Sequence, residues 1–343
     1  MRVAVVGATG AVGTIMLRVL EERSFPADEV VAFATSRSVG RKIDFAGGQI
    51  EVQPLSDEGI AGFDLAIFSA GATCSGEWAP KFAAAGAVVV DNSSRWRMDD
   101  DVPLVVSEVN PDDLARHRGI VANPNCSTMQ MVVALRPIQR RAGIERLVVT
   151  TMQSVSGTGQ KAVEELHAQT EALIDAREVG PAEVYAHQIA FNVLPHAGKF
   201  PEGSDYTDEE LKLVNETRKI LGDPDIAVSA TCTRVPVYTG HSESVNIQTR
   251  DPLSADECRA LLADSPGITV LDDPAKAVYP LAIDAAGRDD VLVGRIRQDP
   301  SHPRALNMFV VADNLRKGAA TNAVQLAELL VERGLLTSRQ RAA

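Results

Sequence analysis

The chain has 343 residues, 45% hydrophobic and 23% charged, a composition that fits an ordinary globular protein with room for two cored domains. Its 46 acidic and 34 basic residues leave a formal net charge of −12 with no basic run, which argues against nucleic acid or an anionic membrane as partner while leaving room for a local basic pocket. Cys74, Cys126, Cys232 and Cys258 are scattered without a CxxC pair, so neither a disulfide framework nor a bound metal is expected. Met1 to Gly7 runs straight into an apolar strand, no signal-peptide pattern appears and no segment is apolar over a membrane's thickness, so the cytoplasm is the expected location.

In chain order, Arg2 to Val6 reads as a buried strand, Gly7-Ala8-Thr9-Gly10-Ala11-Val12-Gly13 as a glycine turn, and Ile15 to Arg23 as a helix. Such a unit suits a dinucleotide pyrophosphate, because glycine lets backbone N–H groups come close and the helix N-terminus adds its dipole. Gly7, Thr9, Gly10, Ala11 and Val12 are the contact candidates, on a GxxGxxG spacing that varies the usual GxGxxG. The second strand, Val30 to Ala34, ends in Thr35-Ser36-Arg37-Ser38 and lacks the acid that would hold an unmodified ribose 2′-hydroxyl. Either Ser36, Arg37 and Ser38 grip a 2′-phosphate, which points to NADP, or Arg37 is a solvated loop charge. Strands at Leu65 to Phe68 and Ala87 to Val90 follow. The first runs into Ser69-Ala70-Gly71, expected to line the cofactor; the second runs into Asp91-Asn92-Ser93-Ser94, with Arg97 beyond it as a phosphate candidate. Further short strands are expected at Pro103 to Val106 and Ile120 to Ala122.

Asn123-Pro124-Asn125-Cys126-Ser127-Thr128 then precedes Met129, Val132, Val133, Leu135 and Ile138, which are spaced as a helix. Cys126 at a helix start is open to two readings: a thiolate favoured by the dipole and the unpaired backbone N–H groups, or a small buried side chain. Beyond it, longer alternating strands are expected at Leu147 to Met152, Ser229 to Val237, Ser244 to Thr249 and Ala305 to Ala312. They imply an antiparallel sheet covered on one face by helices at about Gln160 to Ala176, Asp208 to Leu221 and Ala255 to Ala263. A last helix, about Lys317 to Glu332, has Ala323, Leu326, Ala327 and Leu330 as its apolar stripe. The expected division is 1–122, 123–312, and a C-terminal helix within 313–343 that returns to the first domain.

The motifs Val6 to Gly13, Ser36 to Ser38, Asp91 to Ser94, Asn123 to Thr128, Gln153-Ser154-Val155-Ser156-Gly157, Asn192-Val193-Leu194-Pro195-His196, Arg234-Val235-Pro236-Val237 and Gly240-His241-Ser242-Glu243 carry a resemblance. In this order, and over nearly the whole chain, they resemble the aspartate-β-semialdehyde dehydrogenase family. The resemblance implies an α/β architecture like that of glyceraldehyde-phosphate dehydrogenase: a Rossmann-type NADP-binding domain and an α+β catalytic and dimerisation domain. It implies that Cys126 is the nucleophile that forms a thioester, that His241 is the acid/base, and that Gln153 orients substrate or steadies oxygen charge. It further implies substrate contacts at Arg97, Asn125, Gln153, Glu216, Lys219 and Arg234. Arg234 would grip the α-carboxylate, Glu216 would face the amine, and Lys219 and Arg97 would meet the phosphate. On spacing alone, Glu216 and Lys219 are equally an i, i+3 ion pair on a solvated helix face. Ser156, Gly157 and Asn314 are implied at the nicotinamide end.

The implied reaction is NADPH-dependent reductive dephosphorylation of L-β-aspartyl phosphate to L-aspartate 4-semialdehyde and phosphate, by a homodimer. It feeds lysine (through diaminopimelate), threonine, methionine and isoleucine synthesis. Two alternatives stand beside it. An N-acetyl-γ-glutamyl-phosphate reductase shares the cysteine and histidine, but its blocked amine leaves Glu216 nothing to meet. A non-catalytic NADP-binding paralogue has no need of Cys126, Gln153, Arg234 and His241 together. Arg95 stands close to Arg97, and which of the two holds phosphate is open.

Overall fold

The computed structural model describes residues 1–336. The first 125 residues build β1 (Arg2–Val6), α1 (Ala11–Glu22), β2 (Glu29–Phe33), the hairpin β3 (Lys42–Phe45) and β4 (Gly48–Glu51), then β5 (Leu65–Phe68), α2 (Gly71–Ala84), β6 (Val88–Asp91) and β7 (Ile120–Ala122). Five of these strands form a parallel sheet in the order β2-β1-β5-β6-β7. Val3–Val6, Leu65–Phe68 and Val88–Val90 are buried throughout, as strands covered on both faces must be. The order reverses between β1 and β5, so the loops at their carboxyl ends flank a topological switch point, where α/β sheets take their ligands. The expected strand at 103–106 does not form: Leu104 makes only an isolated bridge to Ala122, and the Val106 N–H is taken by the Asn110 side chain.

From Cys126 the chain builds α3 (Cys126–Ala142), β8 (Ile144–Gln153), α4 (Gln160–Ile174), α5 (Asp208–Leu221), β9 (Ala227–Arg234), β10 (His241–Thr249), α6 (Ala255–Ala263), β11 (Ile268–Val270), α7 (Ala282–Ala285), β12 (Val291–Gln298) and β13 (Ala305–Ala312). Its sheet runs β11-β12-β13-β10-β8-β9. Only the centre is antiparallel; β8/β9 and β11/β12 pair in parallel, which corrects the expectation of a wholly antiparallel sheet. The chain passes through α4 and α5 between β8 and β9, and through α7 between β11 and β12, the crossovers that parallel neighbours need. Along β10, His241, Glu243, Val245, Ile247 and Thr249 point inward, while Ser244 is exposed.

A π-helical turn, Arg316–Ala320, leads into α8 (Thr321–Glu332). Ala323, Leu326, Ala327 and Leu330 of α8 are fully buried in the same core as Val5, Ile67 and Val90. The chain accordingly divides into two compact units, Met1–Asn125 with the chain from Ala319 onward, and Cys126–Gly318. The boundaries drawn from sequence lay at 122/123 and 312/313, and residues 337–343 of the expected C-terminal segment lie outside the described residues. Among the described residues no helix is long and apolar enough to cross a membrane.

Candidate active site

In the first unit the glycine loop meets the loop after β5 backbone to backbone. Gly7 has φ +89°, and a Cβ there would strike the carbonyl of Ser69; one on Gly13 would strike the carbonyl of Gly7. Gly7, Thr9, Gly10, Ala11 and Val12 thus share the switch point with Ser69, Ala70 and Gly71. Gly10 caps α1 and Ala70 caps α2 without a side-chain acceptor, so both helices offer first-turn N–H groups to an anion. Thr9 Oγ1 donates to Ser38 Oγ at 3.3 Å, tying the Ser36–Ser38 turn and its exposed Arg37 to the same loop. This cradle fits a dinucleotide pyrophosphate, and a guanidinium with two hydroxyls suits a 2′-phosphate.

Arg97 is buried, its Nε donating to the Asn123 carbonyl at 3.0 Å and its Nη2 to the Asn92 carbonyl at 2.9 Å. A ladder of amides stiffens those carbonyls: Asn322 donates to Asn123 Oδ1 at 2.6 Å, and Asn123 to Asn92 Oδ1 at 2.7 Å. Arg95 is exposed and stacks over Trp96, 4.4 Å from the ring centroid. Of the two, Arg97 is the one held in a fixed direction.

In the second unit Cys126 is the first residue of α3 and half-buried, so its thiol stands at the positive end of a 17-residue helix; Asn125, directly before it, is buried. Gly318 backs the cysteine: a Cβ there would lie 2.9 Å from Cys126 Cβ and 3.4 Å from its Cα. Next to the thiol, Ser127 Oγ accepts from Gln153 Nε2 at 2.9 Å, and the same amide reaches Glu209 Oε1 at 3.3 Å. Lys212 Nζ donates to Glu209 at 3.2 Å and Asp208 at 2.9 Å. Burial works to lower the Lys212 ammonium, but Glu209 and Asp208 outweigh it and raise it above its ordinary value.

His241 opens β10 and is fully buried. Its Nδ1 accepts the Ser154 backbone N–H at 3.0 Å, which puts the proton of the neutral ring on Nε2. Nε2 has no hydrogen-bond partner among the described residues. Burial first, then the charge of Arg234, hold the imidazole well below its usual range. In the neutral ring the group left to donate is therefore Nε2–H. Arg234, paired in register with Gln153, donates from Nη1 to the Ser154 carbonyl at 2.8 Å, and its buried Nε has no hydrogen-bond partner among the described residues. A Cβ on Gly157 would lie 3.0 Å from His241 Nε2 and 3.3 Å from Arg234 Nη1, so this glycine brings backbone against both groups. Asn314 Oδ1 accepts from Ser154 Oγ at 3.0 Å, Ser156 Oγ at 3.3 Å and the Gly240 N–H at 2.9 Å. Its Nδ2 donates to Ser156 Oγ at 3.0 Å, so Asn314 anchors the His241 cluster together with Ser156.

The structure brings Glu209 and Lys212 to Gln153, in place of the expected Glu216 and Lys219. The helix α5 turns back into β9, so its first turn lies beside the carboxyl end of that strand, where Arg234 and Gln153 are; Glu210 accepts the Cys232 N–H at 2.9 Å there. Glu216 is buried two turns further on, roughly 10 Å along the axis. Both pairs share the Glu-x-x-Lys spacing, and the signal that separates them is the capping box of Thr207 and Glu210, which marks where the helix begins. Ser127, Ser154, Glu209 and Lys212 are the members that sequence reasoning passed over. Among the described residues no group of His, Cys, Asp or Glu side chains is placed to hold a metal ion.

Residues 2–117 match the family model for the semialdehyde dehydrogenase NAD binding domain, and residues 135–317 that for the semialdehyde dehydrogenase dimerisation domain. The chain is 56% identical over 338 residues to an aspartate-semialdehyde dehydrogenase of Aquifex aeolicus, covering 98% of this chain and 99% of the relative. It is similar, with TM-score 0.92 and 48% identity over 96% of this chain and 98% of the other, to the crystal structure of aspartate semialdehyde dehydrogenase II complexed with ASA from Vibrio cholerae. A Candida albicans aspartate semialdehyde dehydrogenase with NADP aligns with TM-score 0.74 and 26% identity over 97% of this chain and 99% of the other. By sequence over nearly its whole length and by fold in both units, the chain belongs to the aspartate-semialdehyde dehydrogenase family.

Proposed function

We propose that this chain catalyses the NADPH-dependent reductive dephosphorylation of L-β-aspartyl phosphate to L-aspartate 4-semialdehyde and phosphate. It works as a homodimer in the cytoplasm and supplies lysine, threonine, methionine and isoleucine synthesis. Four cysteines with no disulfide between them fit that compartment, and the match of its second half to a dimerisation domain supports the dimer. Ser36, Arg37 and Ser38, with no acid at the end of β2, support NADP over NAD.

In the reaction the Cys126 thiolate attacks the β-carboxyl carbon, the bond from that carbon to the phosphate oxygen breaks, and a thioester remains. Arg97 and Lys212 offset the charge of the departing phosphate, which takes up one proton from solvent. Arg234 holds the α-carboxylate, and Gln153 and Asn125 orient the acyl group. Bound NADPH supplies the hydride that brings the thioester to the aldehyde level. His241 donates its Nε2–H to the oxygen as it becomes negative, and collapse of that oxyanion re-forms the carbonyl and expels the Cys126 thiolate.

The observation that carries the substrate choice is the Glu209 carboxylate, 3.3 Å from Gln153 Nε2. An acid there meets an ammonium, and an N-acetyl group gives it nothing to pair with. The test is phosphate-dependent reduction of NADP with aspartate semialdehyde, using the native chain and Cys126→Ser. Turnover by the native chain alone supports the reading; oxidation of N-acetylglutamate semialdehyde in its place refutes it.

A further inference from the structure

Arg234 ends β9 and is buried. Its Nη1 is committed to the Ser154 carbonyl, while Nε has no hydrogen-bond partner among the described residues. A buried N–H without an acceptor is costly, and a carboxylate that takes two N–H groups from one edge of the guanidinium would satisfy it through Nε and Nη2. Such a pairing requires the plane of the guanidinium to be held. One hydrogen bond at Nη1 fixes a point and leaves the plane to be set by another group.

That group is Tyr185. Arg234 Cζ lies over its ring, 6.0 Å from the centroid, within the range of cation–π attraction. The phenol donates to Thr158 Oγ1 at 3.0 Å, and Thr158 ends the Val155–Thr158 turn whose Gly157 stands against Arg234 Nη1 and His241. The ring is placed in turn by α4. Glu165 Oε2 accepts the N–H groups of Glu183 and Val184 at 2.7 Å each, and its Oε1 accepts that of Tyr185 at 3.4 Å. One turn on, Gln169 Oε1 accepts those of Ile189 at 2.9 Å and Ala190 at 3.1 Å. Val184 and Tyr185 pack against the core of Val155, Leu166 and Leu194, and the Leu194 and Arg234 backbones exchange hydrogen bonds of 2.9 and 2.8 Å. The stretch from Glu183 to Leu194 is thus strapped to α4 by two side chains and reaches Arg234 at both ends, by ring and by backbone.

We propose that Tyr185 is a positioning residue for substrate recognition: its ring, held by Thr158 and by the Glu165 strap, fixes the plane of the Arg234 guanidinium so that Nε and Nη2 meet the α-carboxylate together. A planar anion with two oxygens gains from a guanidinium held in one plane, which is why an aromatic face serves here where a second hydrogen bond would consume a donor. The α-carboxylate does not change during the reaction, so its grip is the same in the bound substrate and in the transition state, and the contribution of Tyr185 falls on KM. The role deepens the proposed function and rests on its assignment of Arg234 to the α-carboxylate.

The test compares the native chain with Tyr185→Phe and Tyr185→Leu. Phenylalanine keeps the ring and loses only the bond to Thr158, so KM for aspartate semialdehyde is expected within about threefold of native. Leucine removes the aromatic face and should raise that KM roughly five- to tenfold, with kcat and KM for NADP little changed. A native KM in Tyr185→Leu, equal damage in both variants, or a loss confined to kcat refutes the positioning role. Should Tyr185→Leu fail to fold, Glu165→Ala releases the strap from α4 and is expected to give the same KM-selective loss; native KM there counts against the role. Phenylglyoxal, which modifies arginine, reads the cover on Arg234 without turnover: the peptide containing Arg234 is expected to react faster in Tyr185→Leu than in the native chain or Tyr185→Phe, and equal rates in all three overturn the proposal. If the native chain does not turn over aspartate semialdehyde, the proposed function fails, yet the arginine reaction still decides whether Tyr185 holds Arg234.

Discussion

Gly318→Ala puts a single methyl group against the nucleophile. The added Cβ would sit 2.9 Å from Cys126 Cβ and 3.4 Å from its Cα. Carbon atoms prefer about 3.5–4.0 Å, so the methyl is roughly 0.6–1 Å too close to a side chain at the fixed end of a helix. Gly318 does not need a positive φ, and alanine in a helical turn is favoured over glycine by about 1 kcal/mol. Overpacking costs about 1–3 kcal/mol, so the net stability change is only about 0–2 kcal/mol. Placement of the thiol suffers more, because a displacement approaching 1 Å costs on the order of a hundredfold in rate. The expected outcome is kcat for phosphate-dependent oxidation of aspartate semialdehyde down roughly ten- to hundredfold, with Tm nearly native and iodoacetamide alkylation of Cys126 altered. A variant with native kcat and native alkylation would show that the thiol is not constrained from this side, and the reasoning would fail.

Further outcomes are expected. Glu209→Gln removes the charge that meets the substrate amine and should raise KM for aspartate semialdehyde by roughly ten- to hundredfold without moving KM for NADP. A rise in Glu216→Gln but not in Glu209→Gln would return the amine site to the position that spacing alone suggested. Arg37→Ala should raise KM for NADP by roughly tenfold or more and leave that for NAD unchanged; equal effects on both would remove the 2′-phosphate from the account. The pH dependence of stability carries a sign. Glu243, raised above its ordinary 4.5, keeps a proton in the fold that the unfolded chain releases, so its contribution is full below that value and is lost as pH rises toward the folded-state pKa. His241, lowered below 6.5, costs stability as pH falls under that value, so its slope is opposite in sign to that of Glu243. Between 4.5 and the folded-state pKa of Glu243, urea unfolding should show the native chain losing about 1.4 kcal/mol per pH unit relative to Glu243→Gln. A gap between the two that does not change with pH would mean that Glu243 is ionised in both states.

The parallel sheet and its glycine loop were legible because apolar runs without interruption and a glycine turn are local signals. The same holds for α8, whose buried stripe repeats at helical spacing. Local pattern says less about pairing. The parallel edges of the second sheet depend on which strands the crossovers bring together, and the pattern within β9 is the same for either direction. The amine site shows the same limit: Glu209 and Glu216 occupy equivalent faces of one helix, and only the reversal of α5 into β9 decides which reaches Gln153. The tautomer of His241 is likewise set by a distant partner, the Ser154 N–H at the end of β8.

Covalent catalysis by Cys126 is the centre of the account, and the direct measurement is mass spectrometry of the protein quenched after exposure to β-aspartyl phosphate without NADPH. The peptide containing Cys126 is expected to gain the mass of one aspartyl group, stoichiometric with phosphate released, and to lose it on addition of NADPH. An unmodified Cys126 peptide during phosphate release, or the same adduct on Cys126→Ser protein at another residue, would contradict it.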